Sequence, residues 1–179
     1  MSFHLKEYKN VDLDARSRIY KGLNILRCWG IMVLKAVFFP HKTEEFEDEY
    51  ALRDWLGYDL KKYRRGGYHL REPAGLGELE EGSLVFFHKN NFVVGSAVVE
   101  EGLRESSEEQ KERFGEEFLH FIKFVPESIW AWNNGQFLTD SEVYSAIRKH
   151  LSQGYTVVES LEGLLRLFQL VARKGPKIL

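Results

Sequence analysis

Residues 82–99, GSLVFFHKNNFVVGSAVV, constrain this chain more than any other stretch. Two runs of strand length, SLVFFHK and FVVGSAVV, are apolar, β-branched and aromatic, with Asn90-Asn91 between them. Asparagine tolerates the positive φ of a tight hairpin turn, so the pattern predicts two antiparallel strands. Entered through Glu81-Gly82 and returned through the asparagines, they form the middle of a small, strongly curved sheet.

A chain of 179 residues is long enough to bury a real core and corresponds to one domain with at most a helical appendage. Charge is nearly balanced at −2, so any nucleic-acid contact must come from a local basic patch. Aromatics reach 14%, enough to supply a binding surface as well as a core. Cys28 is the single cysteine, which excludes an internal disulfide and a cysteine-built zinc site. Charges interrupt MSFHLKEYKN before an apolar signal segment develops, and the apolar run from Ile31 to Pro40 is too short to span a bilayer. A cytoplasmic protein is the expectation.

Along the chain, Asp12 or Asp14 caps a helix in which Ala15, Ile19, Leu23 and Leu26 recur at spacings of three and four. GIMVLKAVFFP then reads as a buried strand from about Gly30 to Phe38. Thr43 opens an acidic helix whose inner edge is Phe46, Tyr50, Leu52 and Trp55 and which Gly57 closes. DLKKYRRGGYHLREP follows, the most basic stretch, with no acid between Asp59 and Glu72. Its tandem glycines, Gly66-Gly67, leave the backbone open to close approach. Residues 100–117 read as a solvated loop or short surface helix, and residues 118–125 as a mostly buried strand ended by Pro126. A turn carrying Trp130 and Trp132 comes next, then a helix capped by Thr139 or Asp140. Residues 156–173 read as a last helix, with Val157, Leu161, Leu164, Leu165, Phe168 and Val171 at helical spacing. The resulting fold class is α+β. Residues 1–27 form a helical lead-in, 28–173 the main domain with its C-terminal helices, and 174–179 a linker-like tail.

No catalytic set stands out, so the segment is not read as an enzyme. The six histidines are dispersed without HxxxH or HExxH spacing, which argues against a metal site, and no cofactor is implied. GLGELEEG precedes a strand, so it cannot cradle a phosphate on a helix N-terminus. Binding chemistry is better represented. Lys61, Lys62, Arg64 and Arg65 interleave with Tyr63, Tyr68 and His69, pairing phosphate-binding cations with rings on which bases stack. The alternative is a solvated loop whose tyrosines pack back on the core. Lys89 and Asn91 at the hairpin turn offer a further backbone contact, although turn chemistry already accounts for the asparagine. Trp130 and Trp132, two apart, would share one side of an extended segment and wall a cage, or else lie in the core beneath a loop.

The order of elements resembles the PUA-like superfamily, most nearly its YTH and EVE branch. Gly67-Tyr68 is similar to that branch's short strand with an aromatic after a glycine-containing pair. Phe86 through Val99 resembles its hairpin, and Phe118 to Val125 its following strand; the likeness covers roughly residues 28–135. It implies a small curved, barrel-like sheet with helices around it. It further implies recognition of a modified base, N6-methyladenine foremost, flipped from double-stranded DNA into an aromatic cage. By that match Tyr68 is one wall. The loop that usually supplies a second, here 100–117, lacks tryptophan, so Trp130, Trp132, Trp29 or Phe114 stands in. Lys61, Lys62, Arg64 and Arg65 would hold the flanking phosphates. Such domains precede a GTP-driven AAA+ motor with a nuclease partner in McrB-type modification-dependent restriction proteins. The same residues leave open an RNA-binding PUA-like domain, or a protein-interaction module whose aromatics are core.

Overall fold

The structure is a computed structural model; it describes residues 35–41, 44–71, 79–147, 156–158 and 160–174, all within the unit from Leu34 to the C-terminus. The lead-in helix, Trp29 and Cys28 lie outside the described residues, as do Thr43 and the tail beyond Lys174.

The hairpin is present as β3 (Leu84–Lys89) and β4 (Phe92–Glu105). Asn90 and Asn91 take φ values of 49° and 65°, the left-handed pair that a two-residue turn between twisted strands requires. Parallel to β3 lies β1 (Ala36–Pro40), with Phe38 opposite Phe86 and Phe39 opposite Phe87. Because β1 is buried on both faces, it reads as an unbroken apolar run. Alternation then sorts its rings: Phe38, Phe86 and Trp132 pack on one side, while Phe39, Phe87, Tyr68 and Phe124 pack on the other.

β4 runs for 14 residues and serves two neighbours. Its first half pairs with β3 and also receives two short strands, β6 (Trp130–Ala131) and β7 (Leu138–Thr139). Bulges between Val99 and Arg104 then bend it, and its second half pairs with β5 (His120–Phe124). Beyond β5 lies β2 (Gly67–Leu70), and beyond β1 lies β8 (Thr156–Val158). The sheet therefore runs β2-β5-β4-β3-β1-β8 and stays open, where a barrel-like closure was expected. Curvature is supplied by the β4 bulges, and β2 and β8 remain at opposite edges.

Helix α1 (Glu49–Trp55) starts at Asp48, whose side chain accepts from the Ala51 amide at 2.8 Å. It does not end at Gly57, as the glycine suggests, but continues as a π-helical segment through Leu56–Tyr63. Gly57 lies against Ala131, where an added Cβ would sit 3.3 Å from that methyl, so its smallness serves packing and not termination. The buried row is Leu52, Leu56 and Leu60, four apart, while Tyr50 is exposed and Phe46 and Trp55 are half-buried. Leu56 packs over Gly95 of β4, a position with no room for a side chain.

The charged region divides differently from expectation. Its first residues extend β4 to Glu105, and only Glu108–Phe114 form a helix, α2, opened by a reciprocal Ser107–Gln110 capping box. Thr139 and Glu142 likewise cap α3 (Asp140–Ile147). Val157 belongs to β8 and not to the final helix, α4 (Leu161–Lys174), whose buried residues are Gly163, Leu164, Leu167 and Leu170. Leu161, Leu165 and Phe168 are exposed, so the buried stripe lies about one position away from the one the spacing suggested. Among the described residues no helix is long and apolar enough to cross a membrane.

Candidate nucleic-acid interface

The basic stretch is where sequence and structure diverge most. Lys61 and Lys62 lie in the π-helical segment, Arg64 to Gly66 make a turn, and Gly67–Leu70 is a fully buried strand. Arg65 (φ 47°) and Gly66 (φ 85°) are both left-handed, and Phe124 N donates to the Gly66 carbonyl at 2.9 Å. This turn throws the cations outward while drawing Tyr68 inward.

Tyr68 is 7% exposed. Its ring lies edge-on to Phe39 and Trp55 at 5.2 and 5.6 Å, and its hydroxyl is 3.0 Å from Nε2 of His41. His41 is buried too. Its Nδ1 is 3.2 Å from the Phe39 carbonyl, which only accepts, so Nδ1 carries the proton. Burial above all pushes the His41 pKa down to about 3, with the nearby charge of Lys89 adding to the effect. The ring is thus neutral, and Nε2 accepts from the tyrosine. His41, Phe46, Trp55 and Tyr68 form a closed circuit of edge-to-face contacts, with centroids 5.4 to 5.9 Å apart. Tyr68 is in this respect a satisfied core residue and not an open wall.

The two indoles do not share a side. Trp132 is fully buried against Phe86, whereas Trp130 is 38% exposed. The chain leaves strand geometry after Ala131, which breaks the two-residue alternation. Lys89 also departs from its expected role: at 1% exposure it cannot reach a phosphate. Asn91 is exposed, but its carbonyl is engaged by the Asp140 amide. Lys61 donates to the Ile129 carbonyl at 3.0 Å, and the Lys62 ammonium lies 5.7 Å from the Tyr58 ring.

Arg64 and Arg65 open onto a cleft of about 790 Å³ between the β2–β5–β4 sheet and α2. Arg104, Arg113 and Lys123 join them, giving five cations against Glu105 and Glu109. Tyr63, His69, Phe114 and Phe121 supply rings. Strand pairing sets Arg104 opposite Phe121 and puts its guanidinium 4.6 Å from that ring. Arg64 lies 5.5 Å from Trp55 and 5.3 Å from Phe114, so it joins the buried circuit to the cleft. Phe114 stacks on His69 at 3.9 Å and 28°. Burial first, then Arg64 and Arg113, lower the His69 pKa to about 4, and its Nδ1 has no hydrogen-bond partner among the described residues. Tyr63, which lines the cleft, is 63% exposed, and its hydroxyl lies 2.8 Å from that of Tyr58, outside the lining and 53% exposed.

Arg104, Arg113, Lys123 and Phe121 were not singled out by sequence reasoning. The two arginines sit in the run EEGLRESSEEQKERFGEE, where local composition is acidic. Only the β4–β5 pairing and the capping of α2 turn them toward Arg64.

No protein-family model matches this chain, and no curated protein does. Among solved structures it is similar to the YTH domain of the Zygosaccharomyces rouxii MRB1 protein, determined in complex with N6-methyladenosine RNA. The identity is 12% and the TM-score 0.40, over 80% of this chain and 92% of that one.

Proposed function

We propose that this chain is a nucleic-acid-binding module that recognises a modified base and acts by binding, without catalysis of its own. Five cations and four rings gathered on one cleft carry the reading. Cations hold a phosphate backbone, and exposed rings accept bases at roughly 1–3 kcal/mol per stacked base. Rings with free surface, Tyr63 on the cleft and its neighbour Tyr58, take the base in preference to the core residue Tyr68. DNA carrying N6-methyladenine is the leading ligand. Extrusion of its base from a duplex costs a few kcal/mol, which stacking on two rings offsets. Buried in that contact, the methyl group adds about 0.8 kcal/mol. A motor and nuclease in the same or a partner chain would then act on the marked DNA, as in modification-dependent restriction. The exposed tyrosine pair also suits an unpaired strand, which makes single-stranded RNA the second reading.

Fluorescence anisotropy with methylated duplex, unmethylated duplex and RNA of the same sequence tests this. Methylated duplex is expected to bind tightest, with affinity falling as salt rises and falling again in an Arg64→Gln, Arg65→Gln variant. Equal weak binding to all three removes the reading.

A further inference from the structure

We propose that Arg64, Arg113 and His69 form a subsite for the terminal phosphate of a nucleic-acid strand, a phosphomonoester, inside the cleft; this rests on the nucleic-acid reading above.

Arg64 follows the π-helical segment and Arg113 lies in the last turn of α2, yet both guanidinium groups converge on one ring, 5.3 and 5.1 Å from the centroid of Phe114. Neither forms an ion pair among the described residues, whereas two of the other cationic walls do: Arg104 holds Glu101 at 2.9 Å and Lys123 holds Glu100 at 3.0 Å. The two like charges on one ring thus have no direct ion-pair partner among the described residues, with Glu105 and Glu109 the carboxylates that line the same cleft. Under the same ring lies His69, 6% exposed, with an unpartnered Nδ1. Unsatisfied buried polar atoms are uncommon enough that each points to a missing partner.

The missing partner is therefore an anion with several acceptor oxygens. A phosphomonoester carries about −1.5 to −2 at neutral pH, which matches two free guanidinium groups better than the single charge of an internal phosphodiester. Neutral His69 in its Nδ1–H tautomer has one donor to add. Phe114 stacks on the face of the imidazole, so it does not occupy the in-plane direction in which Nδ1–H would donate.

The test compares the full chain's affinity for one oligonucleotide with a 5′-phosphate and with a 5′-hydroxyl, and follows the His69 imidazole by NMR during titration with inorganic phosphate. The phosphorylated strand is expected to bind about tenfold tighter, the equivalent of one charge-assisted hydrogen bond. Phosphate should move the His69 resonances in the wild type and not in Arg113→Gln, a surface change that leaves the core intact. Equal affinity for the two ends overturns the proposal, as does a His69 signal indifferent to phosphate. If phosphate moves His69 but neither strand binds, the subsite stands and the nucleic-acid reading falls.

Discussion

The Tyr68 hydroxyl donates to Nε2 of His41 at 3.0 Å, inside the core. Tyr68→Phe removes the donor and keeps the ring. It should lower stability by about 1–2 kcal/mol in urea unfolding, since His41 loses that partner. Nucleic-acid affinity should be unchanged; a large loss of affinity with unaltered stability would return Tyr68 to the binding surface.

Acid should unfold the protein through its buried imidazoles. His41 is held at about 3 and His69 at about 4, both below the ordinary 6.5. Above pH 6.5 neither state carries the protons, and stability from these groups is complete. As pH falls through the window from 6.5 toward 4 and 3, the unfolded chain takes up protons that the folded chain refuses. Stability should drop by on the order of 1 kcal/mol per pH unit for each ring. His41→Gln, measured by the pH dependence of the urea midpoint, should flatten this slope.

Arg64 and Arg65 should act as backbone contacts. Replacing either with Gln is expected to reduce the slope of log affinity against log salt by about 0.7–0.9, one phosphate contact each. An unaltered slope in both variants, with normal folding by circular dichroism, would remove them from the interface.

Gly66 is a backbone requirement. Its φ of 85° is left-handed, and a Cβ there would overlap the Phe124 carbonyl. Gly66→Ala should destabilise by about 2 kcal/mol or more, and thermal unfolding would report it. Gly135, with open space around it, should tolerate alanine.

The neighbouring indoles should behave oppositely. Trp132→Ala empties a fully buried site and is expected to cost about 3–5 kcal/mol. Trp130→Ala, at an exposed position, should change stability by no more than about 1 kcal/mol. Chemical denaturation of the two variants separates them.

Elements whose signal is local were legible in the sequence. Asn90-Asn91 announces its turn, Thr139 its helix, and the aromatic run its buried strands, because each depends on neighbours within a few residues. Tyr68 was misread because burial of β2 depends on β5, more than fifty residues later, and on the left-handed turn at Arg65-Gly66. Gly57 was misread because its constraint is Ala131, across the fold and not along the chain. The cleft was half legible. Arg64, Arg65 and Tyr63 stand in one run, but Arg104 and Arg113 lie among glutamates, and only the β4–β5 pairing and the capping of α2 bring them over.

The bulges in β4 separate two tasks within one strand. From Gly95 to Val98 it pairs without interruption against Leu84–Phe87, where a one-residue slip would turn every side chain over. Past Val99 the register has already slipped twice, so an insertion or deletion there re-aims Arg104 and everything on α2 while the hairpin stays seated. A scaffold built this way can retune what it grips without refolding what it stands on.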